Sequence, residues 1–329
     1  MTLKDQLQSI RDLIQVDIGN RGLRKSPQTN LISSTLFDFS GACQSFAQLK
    51  SGNIAIVTGF VIASVEPMRA ETDGPPGSLF LARVLQAMGM KVTLVTDRYC
   101  SLALEASLYK LKLKDQIQLL ELPLEGSETY IDDFRGKVGP LTHLISIERV
   151  GPSHTPQSII SQEEGTKRTL ELFRREVPEI DFDCPHNMRG RDIGQWTSPT
   201  HLLFQDRLAE VTIGVGDGGN ELGMGKIAWE TIRNNIPNGG ITACRIPTDY
   251  LVVAGISNWG GYALAQGISL VRGLKTASEL FDNNQENELL ELMLNAGPLV
   301  DGVRGEASMS VDGIAFEEYI KPIQEMMTI

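Results

Sequence analysis

The chain has 329 residues, 41% of them apolar and 32 of them glycine, enough to bury a large core as one α/β domain or two smaller ones. Its formal charge of −11 gives a negative mean field, which argues against nucleic acid or an anionic membrane surface as the main partner. No apolar run approaches the ~20 residues of a membrane span, and Met1-Thr2-Leu3-Lys4-Asp5 lacks the basic and apolar regions of a signal peptide, so a soluble, cytoplasmic protein is expected.

Leu3, Leu7, Ile10, Leu13 and Ile14 recur at helical spacing, and a second helix is predicted over 36–49. Residues 1–50 therefore read as a helical N-terminal arm and 51–329 as a single α/β domain. Between the two helices, Gly19-Asn20-Arg21-Gly22-Leu23-Arg24 reads equally well as a plain loop or as arginines folded over an anionic ligand. Asn53 to Phe60 is apolar and β-branched with little alternation, as in a strand covered on both faces. Glu71-Thr72-Asp73-Gly74-Pro75-Pro76-Gly77 follows. The helical pattern of Leu79, Leu81, Ala82, Leu85, Ala87 and Met88 then stops at Gly89, and Lys91 to Thr96 reads as a second buried strand, completing a right-handed βαβ unit.

A helix over 101–111 precedes strands over 116–122 and 141–147, the last ending in Glu148-Arg149. Residues 151–200 form a polar, loop-rich insertion with a helix over 163–175 and the segment Asn187-Met188-Arg189-Gly190-Arg191-Asp192. Val211 to Ile213 leads into Gly214-Val215-Gly216-Asp217-Gly218-Gly219-Asn220-Glu221-Leu222-Gly223-Met224-Gly225, with a helix expected from Leu222. A strand over 250–254 follows, then Ser257-Asn258-Trp259-Gly260-Gly261 opening a helix around 262–270, and more helix over 278–295. The alternation predicts a doubly wound, mostly parallel sheet flanked by helices, with its strand order left open. In such a sheet the acidic and glycine-rich clusters after several strands converge on one crevice.

Glycines at 214, 216, 218, 219, 223 and 225 let a ligand approach the main chain around Asp217, Asn220 and Glu221. Gly214, Gly216 and Gly219 have Gly-x-Gly-x-x-Gly spacing, but Asn220-Glu221 puts negative charge where a pyrophosphate would sit, which disfavours dinucleotide binding. Phosphate-loop and nucleophile-elbow motifs are absent from the sequence. Cys43, Cys100, Cys184 and Cys244 have no zinc-site spacing and read as structural thiols. Clustered carboxylates with Asn and Lys suit either a divalent cation or a general acid/base pair on a polar substrate. Some of these acids can equally be helix caps, and Trp259 reads more readily as core than as a substrate wall.

Four segments in order over about 50–270 carry a resemblance: Glu71 to Gly77, Asn187 to Gly190, Gly216 to Gly225 and Ser257 to Gly261. Together they resemble the D-glutamate cyclase family. The resemblance implies conversion of D-glutamate to 5-oxo-D-proline and water, and vertebrate members carry the cyclase domain in a longer mitochondrial matrix chain. Such a reaction needs a base for the ammonium and a positive group for the carboxylate. Asp217 or Glu221 is the expected base, with Asn220 beside them, and Lys226 or a bound divalent cation (Mg or Mn, held by Asp73, Asp217 and Glu221) is the expected electrophilic group. Glu71 and Asp73 are expected to hold the ammonium or the ion, and Arg69, Arg149 or Arg189 to clamp the α-carboxylate. Gly74, Gly218, Gly219, Asn258 and Trp259 complete the expected substrate site. Two other readings fit the same acidic crevice. One is a metal-dependent hydrolase or lyase on another small metabolite; the other is a non-catalytic metabolite-binding protein, and either is compatible with a homo-oligomer.

Overall fold

Apolar, β-branched runs with little alternation suit strands covered on both faces, and most of the six strands that pair side by side are of this kind. The computed structural model describes residues 1–162 and 165–329. Its main sheet contains β1 (Asn53–Thr58), β2 (Lys91–Thr96), β3 (Ile117–Glu121), β4 (Leu141–Ile147), β5 (Ala209–Gly216) and β6 (Tyr250–Val253). Every pairing is parallel, in the order β3-β2-β1-β4-β5-β6. This is a doubly wound order whose direction reverses between β1 and β4, so a crevice opens beyond their carboxyl ends.

Alternate residues of each strand serve opposite cores. Ile54 and Ile56 join Leu94, Ile145 and Val215 on one face, where Leu7, Ile10 and Ile14 of the Leu3–Ile14 helix also pack. Ala55 and Val57 join Val95, Leu144 and Val253 on the other, against Phe134, Phe173 and Trp229. On the first face the helices Pro75–Ala87 and Ser257–Val271 touch backbone to backbone at two glycines. A Cβ on Gly77 would come within 2.7 Å of the Asn258 carbonyl oxygen, and one on Gly261 within 2.8 Å of the Gly77 carbonyl carbon. Close contact of these helices fixes residues 71–77 against Ser257 and Asn258, at the mouth of the crevice.

The expected helix over 36–49 is confined to Asp38–Gln44. A helix at Tyr130–Val138, not anticipated from its short and weak pattern, links β3 to β4. In the insertion the helix is Lys167–Glu176, and the expected starting positions Glu163 and Glu164 lie outside the described residues. No helix begins at Leu222. The N–H groups of Leu222 and Gly223 donate instead across the chain to Arg149 O (2.8 Å) and Ile246 O (2.9 Å), and Gly223 is left-handed at φ +108°. The first helix after that motif is Trp229–Asn235. Beyond the Asn283–Asn295 helix, Ser310–Val311 and Ile314–Ala315 pair as an antiparallel hairpin around Asp312-Gly313, both at positive φ, as a two-residue primed turn requires. No helix among the described residues is long and apolar enough to cross a membrane.

Because the Pro75–Ala87 and Ser257–Val271 helices have no room between them for a methyl group, Gly77→Ala should cost about 1–3 kcal/mol, read as a lower midpoint in urea unfolding with an unchanged slope.

Candidate active site

A cavity of about 380 Å³ lies at the crevice, lined among others by Arg21, Phe60, Glu71, Glu148, Arg189, Asp217, Asn220, Glu221 and Asp312. Strand ends supply most of these groups. Phe60 follows β1, Glu148 follows β4 and Asp217 follows β5, while Asp312 arrives from the tip of the C-terminal hairpin. Glu148 adopts φ +46°, an unusual conformation for a residue with a Cβ.

The glycine-rich loop closes on itself. The N–H groups of Asp217 and Gly218 donate to Glu221 Oε1 at 3.0 and 2.6 Å, and that of Gly219 donates to Oε2 at 2.7 Å. This is an anion nest filled by the chain's own carboxylate, so the three donors a phosphate would need are already taken. Gly216 and Gly218 are glycine for that reason: a Cβ on either would come within 3.0 Å of the Glu221 side chain. Gly219 is left-handed at φ +96°.

Asp73 is committed in a similar way. Its Oδ1 accepts from Gly74 N (3.0 Å) and Asn258 N (2.7 Å) and its Oδ2 from Ser257 N (2.8 Å), which caps the Ser257–Val271 helix. Asn258 returns the favour to the 72–77 turn. Its Oδ1 accepts from Gly74 N and Gly77 N, its Nδ2 donates to Thr72 O, and it is fully buried. Trp259 is core, its Nε1 donating to Tyr319 O at 2.9 Å. Asn220 lines the cavity with its Nδ2 donating to His186 O.

Several expected residues lie elsewhere. Lys226 is held by Asp38 (2.5 Å) and by the Asp249 carbonyl (2.7 Å) at the amino end of β6, the opposite edge of the sheet from the cavity. Arg149 is buried and saturated. Its Nε donates to Thr200 Oγ1, Nη1 to Gly59 O and Asp97, and Nη2 to Ser198 O, which braces β1, β2 and β4 from beneath. Arg69 stands in a short ladder, Val61–Ile62 with Arg69–Ala70, and does not line the cavity. Of the three expected clamps only Arg189 lines it, on a turn where Asn187 Oδ1 accepts from Arg189 N and Arg191 N.

A second cation lining the cavity is Arg21, from the glycine-flanked linker. Its guanidinium pairs with Asp217 and, at 2.8 Å, with Asp312. Asp217 Oδ1 and Oδ2, Glu148 Oε2 and Asp312 Oδ2 are buried and accept no aligned hydrogen bond among the described residues. Burial first, then the neighbouring Glu221, Asp73 and Glu71 charges, pushes the Glu148 carboxyl well above the usual range. Burial also raises Asp217, opposed by Arg21 and reinforced by Glu148, Asp312 and Asp73. Burial and Asp312 push Asp73 up to about 7 against the N–H groups of Asn258 and Ser257. Glu71 rises through burial and the Asp312 and Asp73 charges. Burial opposes charge on Arg21, but Asp217 and Asp312 hold its affinity for the proton well above normal.

Ligand atoms of Asp73, Asp217 and Asp312 lie within 4.8 Å of one another, as do those of Glu148, Asp217 and Glu221. A divalent cation would meet Asp217 in either group. The expected trio of Asp73, Asp217 and Glu221 is a poor ligand set, because Asp73 and Glu221 already accept from backbone N–H groups that ligation would leave unpaired.

The sequence matches the family described as D-glutamate cyclase-like, C-terminal, over residues 10–158 and 183–327, with both halves of the cavity inside the matched spans. The chain belongs to the D-glutamate cyclase-like family. It is similar to the human protein named D-glutamate cyclase, mitochondrial, with 28% identity over 366 aligned positions that cover 100% of this chain and 52% of the relative. It thus spans about half the length of that cyclase. Sequence reading left three of the cavity's charged groups without a role, Glu148 being read only as an acid at the end of a strand. Arg21 sat in a linker with two equal readings, and Asp312 gave only the Asp-Gly signal of a tight hairpin.

Removing the Glu221 carboxylate leaves three buried N–H groups without an acceptor, so Glu221→Ala should lower stability by about 3 kcal/mol or more, measured by denaturant unfolding. Asp217 follows the opposite sign. Its carboxyl binds protons more tightly folded than unfolded, so its cost is absent below the ordinary value of 3.8 and grows with pH until the folded group ionises. Asp217→Asn, which mimics the neutral acid, should therefore gain melting temperature over the wild type as pH rises from 5 to 9; an offset independent of pH would contradict this.

Proposed function

We propose that this chain closes D-glutamate into 5-oxo-D-proline with loss of water. The observation that carries the reading is the pair of buried carboxyls, Asp217 and Glu148, which line one cavity together with Arg21 and Arg189. An amino dicarboxylate is the complementary ligand, since it brings one ammonium for the carboxyls and two carboxylates for the arginines. The similarity to a protein named D-glutamate cyclase supports the choice of D-glutamate.

Arg189 at the cavity wall holds the α-carboxylate through its planar fork. Asp217 takes a proton from the substrate ammonium, freeing the lone pair for attack on the γ-carboxyl carbon. Glu148, kept protonated by burial among other acids, gives its proton to the departing oxygen. Asp217 passes its proton on to the same oxygen, which leaves as water, a second nitrogen proton restores Glu148, the third stays on the lactam nitrogen, and both carboxyls return to their starting states. Glu221 cannot act as this base without unfilling the glycine nest, which assigns the role to Asp217. Ring closure is intramolecular, so holding the folded conformer in the cavity supplies much of the rate.

Incubating the protein with D-glutamate should convert the free amine to a lactam, followed by chromatography. Asp217→Asn should lower kcat/KM by roughly 100-fold or more with the protein still folded; turnover within a few-fold of wild type would remove Asp217 as base, and no turnover by the wild type would remove the reaction.

A further inference from the structure

We infer that Arg21, brought by the N-terminal arm, is a catalytic residue that binds the substrate's side-chain carboxyl and stabilises the oxyanion as the ring closes. This rests on the cyclase reading above and assigns the positive group that reading leaves unnamed.

Three observations separate Arg21 from a structural arginine. The first is hydrogen bonding. Two buried arginines that brace this fold bond to groups outside the cavity: Arg149 donates through all three nitrogens, and Arg83 donates to Glu286 (2.7 Å), to the Leu280 carbonyl (3.2 Å) and to Gln285. The Arg21 guanidinium instead pairs with two acids that line the cavity, Asp217 and Asp312 (2.8 Å).

The second is location. Arg21 lines the cavity beside Glu148 and Asp217, the carboxyls assigned to proton transfer, and its side chain is only 19% exposed. A cation there acts where water is largely excluded and its field is strong.

The third is preorganisation. Asp17 accepts from the N–H groups of Arg21, Gly22 and Leu23 at 2.9, 2.9 and 3.0 Å, which ties the segment into a tight turn. Asn20 and Gly22 take left-handed conformations at φ +49° and +102°. Asn235 anchors the next stretch, accepting from Ser26 N (2.7 Å) and donating to Thr29 O (3.0 Å). The backbone of the segment is thus fixed, which holds the guanidinium at the cavity wall.

In the step itself the substrate nitrogen bonds to the γ-carbon and the C=O π pair moves onto one γ-oxygen. Arg21 holds that O⁻ while the other γ-oxygen leaves as water, taking one proton from Glu148 and a second from Asp217, and the C=O reforms as the nitrogen's surplus proton restores Glu148. No redox change or co-reactant is involved. Before substrate binds, Arg21 neutralises part of the charge on Asp217 and Asp312; transferring it to the substrate frees Asp217 to act as base.

The test compares wild type, Arg21→Ala and Arg21→Lys in kcat and KM for D-glutamate, and in affinity for glutarate, a dicarboxylate with no amine to react. Arg21→Ala should lose about 100-fold in kcat and regain part of it with guanidinium ion at low millimolar concentration, and glutarate should bind about tenfold more weakly. A brace would show neither rescue nor the weakened glutarate binding. Should Arg21→Ala fail to fold, Arg21→Lys, which keeps the charge but not the fork, should still lower kcat by about tenfold. Variants within about threefold of a wild type that does turn over would overturn the inference and leave the cyclase reading standing. A wild type inert toward D-glutamate would overturn the cyclase reading and the oxyanion role together, and glutarate binding would then decide whether Arg21 is a carboxylate-binding residue.

Discussion

The molecule is organised around the confinement of acidic side chains at the carboxyl ends of a parallel sheet. Glu71, Asp73, Glu148, Asp217, Glu221 and Asp312 are all largely buried, and Arg21 is the cation placed among them. Like charges in a low-dielectric cavity repel strongly, so such an arrangement persists only if each acid is either neutralised or given donors. Much of the surrounding architecture reads as the means of doing so.

Backbone N–H groups satisfy part of the set. Glu221 fills the glycine nest and Asp73 caps a helix. Asp301, fully buried nearby, ties the C-terminal loop together by accepting from Val303 N, Arg304 N, Ser310 Oγ and Gly313 N. These acids hold loops in shape and have no oxygen to spare. Asp217 and Glu148 are different in kind. Asp217 Oδ1 and Oδ2 and Glu148 Oε2 are buried without aligned donors, and burial raises the proton affinity of both carboxyls, opposed at Asp217 by Arg21. A division into donor-saturated acids and acids that can exchange a proton is what allows one cluster to be both a scaffold and a reagent.

The arginines divide along the same line. Arg149 and Arg83 are enclosed by acceptors and serve the fold, whereas Arg21 and Arg189 reach the cavity. The N-terminal arm is therefore more than packing for the sheet. Its helix buries Leu7, Ile10 and Ile14 against the Ser257–Val271 side of the molecule, and the turn after it delivers Arg21 to the crevice. The family match begins at residue 10 and so includes this turn.

Local chemistry alone determined a good deal of this. Lys91–Thr96 and Leu141–Ile147 are where their unbroken apolar patterns place them, and parallel pairing follows from the helices between strands. Glycine density marked the Asp217 loop as a special backbone, and it is one. What sequence could not supply was the partner of each polar group. The glycine loop looked open to a ligand because nothing local says that Glu221 folds back into it. Lys226 is only nine residues from Asp217 along the chain, yet its amine lies at the far edge of the sheet, because Leu222 to Gly225 bridge sideways to Arg149 and Ile246 instead of starting a helix. Arg21 and Asp312 meet over nearly the whole length of the chain. Periodicity and turn chemistry are local properties, and sequence therefore fixes elements and their faces. Ion pairing and burial depend on contacts between distant segments, and only the packed fold decided which of the acids and arginines are free to act.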